Sequence, residues 1–297
     1  MSNLHVKIPT TLTIGKFRNH FINSLEDLYP IEELKSFFYL LAGKYLNLSR
    51  INIVLQPNNE LTHEEQLSFY QAADRLRNRE PIQYILGETE FFGMPITVNK
   101  QVLIPRPETE ELVSWIIEDV DKNEATILDI GTGSGCIAIS LAKKLNNAVV
   151  SAIDISTTAI EVAKKNTLIN NVNIEFSKVD VLNFEADSDL QHKWESKFDI
   201  IVSNPPYVRK QEKKLMQLNV IDHEPDIALF VEDDDPLLFY RKISQLSKQY
   251  LRHNGTLYLE INEYLGLEME KMLNKAGFKH VILKKDMFGK NRMIKCW

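Results

Sequence analysis

Apolar positions early in the chain recur at three- and four-residue steps. In the stretch PIEELKSFFYLLAGKYL, Leu34, Phe37, Phe38, Leu41 and Tyr45 fall on one face of a helix that Pro30 opens. Thr62-His63-Glu64-Glu65 reads as a capping box, in which the Thr oxygen and the Glu carboxylate satisfy exposed backbone donors of a second helix running to about Arg79. No catalytic pattern occurs in this region, so residues 1–80 predict a small helical bundle. From Pro81 the pattern becomes PIQYILGETEFFGMPITVNK, aromatic and β-branched runs broken by Gly87 and Gly93, which predicts a β-hairpin linker over 81–107. Pro105 and Pro107 then forbid helix until Pro107 itself supplies a first helical turn.

Residues 108–297 read differently. The apolar runs ATILDI (125–130), AVVSAIDI (148–155), NIEFSKVDV (173–181) and FDIIVSN (198–204) predict strands. Helical patterns follow the first two, and a polar connection through Trp194 precedes the last. Continuous apolar strands joined by crossovers predict a parallel sheet covered on both faces. Then come TLYLEIN, a helix from about Tyr264 to Ala276, and HVILKKDM and RMIKCW separated by Phe288-Gly289-Lys290-Asn291, an antiparallel hairpin added to the sheet.

Composition narrows the function. The 35 basic and 41 acidic residues give a formal charge of −6, which argues against a surface built for non-specific phosphate binding. The longest apolar run, Phe37 to Ala42, is far too short to cross a membrane, and MSNLHVKIPT lacks the pattern of a signal peptide. Cys136 and Cys296 have no metal-ligand spacing, and no His/Cys/Asp ligand cluster is evident, so a cytosolic protein without a metal is expected.

Asp129, Asp154, Asp180 and Asn204 lie at or near the ends of the four strands, spaced by 25, 26 and 24 residues, about one strand and crossover each. They should emerge along one carboxyl edge, where open α/β sheets bind ligands. Gly131-Thr132-Gly133-Ser134-Gly135 follows the first strand, with glycines that let the backbone bend sharply and a ligand lie against it. Gly133, Gly135 and Ala138 also satisfy a loose dinucleotide fingerprint, and a purely structural turn is a further reading. The acidic Asp129 just ahead of the loop favours a cationic ligand such as S-adenosylmethionine over a pyrophosphate. Asp154 sits where an acid accepts ribose hydroxyls, or else caps the helix at Ser156 or Thr157. Asp180 and Val181 are candidates for the adenine edge, with a plain strand-end turn as the alternative.

Ser203-Asn204-Pro205-Pro206-Tyr207 carries the chemistry. Two consecutive prolines donate no hydrogen bonds and hold the backbone extended, so the Pro205 carbonyl and the Asn204 amide oxygen can form two acceptors for one NH2 group, with Tyr207 stacking on a planar group. Together the glycine loop and Asn204-Pro205-Pro206-Tyr207 resemble the class I amino-methyltransferases. Pro81 to Gly87, Phe91-Phe92-Gly93, Ile104 to Glu110, His223-Glu224-Pro225 with Ala228-Leu229, and Gly289 with Arg292 resemble the release-factor glutamine methyltransferase, or HemK, family over nearly the whole chain.

The resemblance implies an α/β fold: a class I S-adenosylmethionine-dependent methyltransferase sheet, mostly parallel with an antiparallel last strand, behind a small N-terminal helical domain that docks the substrate. It implies methylation of the Gly-Gly-Gln glutamine of class I peptide chain release factors. Gly131, Thr132, Gly133, Ser134, Gly135, Asp154, Val181 and Asn204 would bind the cofactor, and Asn204, Pro205, Pro206 and Tyr207 the substrate amide, with Asn204, Pro205 and Tyr207 catalytic. A DNA adenine-N6 methyltransferase shares the Asn-Pro-Pro-Tyr logic but would need a basic target-recognition region, and a non-catalytic adaptor would not need these motifs intact. Nucleic acid is not an expected partner. Asn262 and Pro236 stand where the family more often has glycine.

Overall fold

The computed structural model describes residues 12–120, 124–186, 194 and 198–297, arranged as two compact units, Met1–Leu86 and Gly87–Trp297. The MSNLHVKIPT stretch and most of the connection around Trp194 lie outside the described residues.

In the first unit, strands β1 (Leu12–Thr13) and β2 (Glu60–Leu61) pair beside helices α1 (Ile14–Asn23), α2 (Ile31–Leu46), α3 (Arg50–Leu55), α4 (His63–Arg77) and α5 (Ile82–Leu86). The apolar stripe of α2 is buried at Leu34, Phe37, Phe38 and Leu41. Phe38 stacks on Phe69 of α4 with ring centroids 5.2 Å apart, and Phe17 meets the same ring edge-on at 5.4 Å. The expected capping box is complete: Glu65 N–H donates to Thr62 Oγ1 at 3.2 Å and Thr62 N–H to Glu65 Oε2 at 2.7 Å. Residues 82–86, expected as the start of a hairpin, are helical. The Pro81 carbonyl accepts from the Tyr84 and Ile85 amides, and burial of Ile82, Tyr84 and Ile85 outweighs their β preference.

The second unit opens with the hairpin itself, β3 (Glu88–Phe91) and β4 (Met94–Thr97). Phe92 and Gly93 turn it with φ of +53° and +74°, the positive pair a two-residue turn with native strand twist demands. There follow α6 (Pro107–Asp119), β5 (Thr126–Ile130), α7 (Cys136–Lys144), β6 (Val149–Asp154), α8 (Thr157–Asn170), β7 (Ile174–Lys178) and β8 (Phe198–Ser203). Next are the short β9 (Val208–Arg209), α9 (Leu218–His223), α10 (Asp226–Leu229) and β10 (Phe230–Val231). Helix α11 (Leu238–Tyr250), β11 (Leu251–Glu260), α12 (Gly266–Lys275), β12 (Val281–Lys285) and β13 (Asn291–Cys296) complete it.

The main sheet has seven strands in the order β12-β13-β11-β8-β5-β6-β7. The strands from β11 through β7 run parallel, and β13 is inserted antiparallel between β11 and β12, so the reversed last strand is as expected. Both cysteines are free and buried. No helix among the described residues is long and apolar enough to cross a membrane.

Candidate active site

A cavity of about 290 Å³ opens at the carboxyl edge of the sheet, where β5, β6 and β8 end. Gly131, Thr132, Gly133, Ser134, Asp154, Val181, Asn204, Pro205 and Pro206 line it, together with Asp180. Gly135 and Tyr207 do not.

The three glycines divide by role. Gly131 and Gly133 hold φ of +71° and +54°, and a Cβ on either would meet open space. At Gly135, φ +83°, it would come within 3.1 Å of Ala163 Cβ and 3.2 Å of Ile139 Cδ1. The first two glycines keep the cavity floor bare, whereas the third lets the loop press against α8.

Asp154, the last residue of β6, accepts the Gly133 amide at 2.9 Å through one oxygen and the Ser156 amide at 2.8 Å through the other. The cap of α8 is Ser156, whose hydroxyl accepts from the Ala159 amide, so Asp154 stays on the cavity wall. Burial pushes its carboxyl above the usual range against those backbone hydrogen bonds. Asp180 turns its two oxygens to the Leu182 amide and the Asn183 side chain, which makes it the brace of a 3-10 turn beginning at Val181.

Asp129 corrects the sequence reading. It does not face the cavity but is fully buried, because as the penultimate residue of β5 it is still flanked by Ala152 and Val202 of the neighbouring strands. Thr132 donates to one oxygen at 2.7 Å, and the other has no hydrogen-bond partner among the described residues. Burial pushes this carboxyl up to about 7.

At the other end of the cavity, β8 is pinned by the Ser203 hydroxyl on the Ile130 carbonyl at 2.7 Å, and the chain leaves the sheet through Asn204. Pro205 cannot continue a ladder, and no donor among the described residues pairs with its carbonyl. The Asn204 Nδ2 donates to Thr109 Oγ1 at 3.2 Å, and Thr109 donates to Glu260 Oε2 at 2.7 Å. The Tyr207 hydroxyl reaches the second oxygen of Glu260 at 2.9 Å. Tyr207 is therefore tied back into the protein at its hydroxyl rather than laid along the cavity. Asn262, in place of a small residue, donates to the Tyr207 carbonyl at 3.0 Å and to Glu212 at 2.9 Å, which braces the Asn-Pro-Pro-Tyr turn from below.

Sequence reasoning missed Thr109, Glu260, Arg106 and Glu224 as functional groups. Buried Glu224 accepts from Arg106 at 2.6 Å and from the Ile104 amide at 3.2 Å, so it joins the segment before α6 to the segment after β8. Both segments contribute to the lining, through Arg106, Ile227 and Ala228. The sequence signal for Arg106, Thr109 and Glu224 was their place in the Ile104–Glu110 and His223–Pro225 motifs; Glu260 lies in neither.

The lining fits S-adenosylmethionine. Bare glycine backbone, a carboxylate with free lone pairs at Asp154 and apolar walls from Ile153, Ile155, Val181 and Phe239 suit a nucleoside that carries no phosphate. This sheet order, with its cavity where β5, β6 and β8 end, is the architecture of the S-adenosylmethionine-dependent methyltransferases. Residues 109–225 match the methyltransferase small domain and residues 17–87 the PrmC N-terminal domain. The chain is 50% identical over 288 residues to the release factor glutamine methyltransferase of Flavobacterium psychrophilum, covering 96% of this chain and 99% of that one. It is 44% identical over 271 residues to that of Bacteroides thetaiotaomicron, covering 91% and 95%. The chain belongs to the release factor glutamine methyltransferase family. Among solved structures its fold resembles the hMettl16 catalytic domain, with a TM-score of 0.56, 18% identity and coverage of 86% of this chain and 91% of that one. It also resembles a methyltransferase from Pyrococcus furiosus, with a TM-score of 0.50, 19% identity and coverage of 76% and 97%.

Proposed function

We propose that the protein methylates the side-chain amide nitrogen of the glutamine in the Gly-Gly-Gln motif of class I peptide chain release factors, in the cytosol. The names of its relatives support this substrate. The observation that carries the chemistry is a pair of acceptors at the cavity wall, the Asn204 carboxamide oxygen and the Pro205 carbonyl, which no donor among the described residues pairs with.

An amide nitrogen is a poor nucleophile because its lone pair is delocalised into the carbonyl. Two acceptors that take both of its N–H groups orient the nitrogen and favour the positive charge that grows on it. Bound S-adenosylmethionine supplies the methyl group on a sulfonium, an already activated donor. In this reading Asp154 accepts the ribose hydroxyls, Val181 borders the adenine, and the Gly131–Gly135 turn leaves room for the methionine portion. Tyr207 acts by fixing the Asn-Pro-Pro-Tyr turn, since its hydroxyl is held on Glu260.

Incubation with labelled S-adenosylmethionine, a release factor and duplex DNA tests the assignment. Label on the release factor, lost when its Gly-Gly-Gln glutamine is replaced, is the expected result; label on DNA adenine would replace this reading with the nucleic-acid one.

A further inference from the structure

A carboxamide is nearly symmetric in shape, so packing alone does not decide which end of Asn204 meets the substrate. The groups behind it do. Glu260 ends β11 and is 1% exposed; once ionised it has no proton to give. Thr109 and Tyr207, at 2.7 and 2.9 Å from its two oxygens, must both donate to it. The Thr109 hydroxyl owns a single proton. With that proton committed to Glu260, the Thr109 oxygen can meet Asn204, 3.2 Å away, only as an acceptor. Asn204 then turns its NH2 inward and its oxygen the other way.

We propose that Thr109 and Glu260 are positioning residues for methyl transfer: the Glu260 carboxylate sets the direction of the Thr109 hydroxyl, and the hydroxyl sets the Asn204 carboxamide with its oxygen toward the substrate amide. This rests on the reading of Asn204 as an acceptor for that amide. A reversed Asn204 would face one NH2 with another. Thr109 is placed for the task by α6, where it is the third residue after Arg106, buried at 2% exposure. Burial pushes the Glu260 carboxyl up, while hydrogen bonds from Thr109 and Tyr207 and the Arg292 charge favour its ionised form and the Glu108 charge opposes it.

The test uses the full chain with Thr109→Val, Thr109→Ser and Glu260→Gln. Three quantities are measured: S-adenosylmethionine affinity by calorimetry, kcat on a release factor, and hydrogen exchange of the Asn204 side-chain NH2 by 15N NMR. Thr109→Val should lower kcat by about 10- to 100-fold, leave cofactor affinity close to wild type and speed exchange of the Asn204 NH2. Thr109→Ser should retain most of the rate. Glu260→Gln, which can itself donate and so let the hydroxyl turn round, should lose kcat as Thr109→Val does; it also serves if the valine variant fails to fold. An unchanged kcat in both Thr109→Val and Glu260→Gln, a serine variant as slow as the valine one, or identical NH2 exchange in wild type and variants would overturn the proposal. A wild-type enzyme that leaves the release factor unlabelled would refute the substrate assignment alone, since the exchange comparison needs no substrate.

Discussion

Replacing Asn204 by alanine deletes one of the two acceptors proposed for the reacting nitrogen but little of the cavity wall. Its expected signature is a kcat reduced by about 10²- to 10³-fold with S-adenosylmethionine affinity nearly unchanged, read by single-turnover methyl transfer and calorimetry. Parallel losses in both would make Asn204 a cofactor ligand first. Asp129 has a different signature, in stability. Its carboxyl rises from 3.8 to about 7 in the fold, so between those values the folded protein holds a proton that the unfolded chain has released. This group's contribution to stability is therefore favourable at the acid end and falls as pH rises through that window. The neighbouring charge that bears on it is Asp154, which opposes ionisation further. Urea unfolding from pH 4 to pH 7 should show wild type losing more stability than Asp129→Asn; equal slopes would mean that Asp129 stays ionised throughout.

At the scale of elements, the glycine turn between β5 and α7 separates two functions that its sequence presents as one. Gly135→Ala should destabilise the fold by roughly 1–3 kcal/mol, because a Cβ is strained at that φ and collides with α8. Gly133→Ala should unfold less readily than Gly135→Ala and instead weaken S-adenosylmethionine binding, since its Cβ would project into open space at the cavity wall. Melting curves and calorimetry on the pair distinguish the two; the reverse ranking would show that the loop's shape, not its bareness, governs binding. Much of this edge was legible beforehand. Strand ends spaced by one crossover put Asp154, Asp180 and Asn204 on one rim, and the Thr62 capping box and the closing hairpin follow from local residues alone. Local rules failed where tertiary burial outweighed them, at residues 82–86 and at Asp129. They were silent on the link from Asn204 through Thr109 to Glu260, whose two steps span 95 and 151 residues of the chain and form only because α6 packs beside β11.

On the scale of the whole molecule, each unit has its own apolar core, Phe17, Phe38 and Phe69 in the first and Leu128, Ile201 and Leu257 in the second. Every residue lining the cavity lies beyond position 100. A chain beginning at Gly87 should therefore bind S-adenosylmethionine about as well as the full protein, yet methylate an intact release factor far more slowly, because a Gly-Gly-Gln loop alone offers little surface for positioning. Comparing both chains on a short Gly-Gly-Gln peptide and on the whole factor checks this, and equal loss on both would assign the helices to maintaining the fold. The inserted strand β13 has a consequence of another kind, for the order of events on the ribosome. β12 is made before β13 but reaches the sheet only through it, so a growing chain carries two strand edges with no partner until the segment from Asn291 emerges. That same segment brings Arg292, whose charge favours the ionised Glu260 behind Asn204. Until β13 emerges, a nascent chain thus lacks both the partner for those two edges and the Arg292 charge that bears on Glu260.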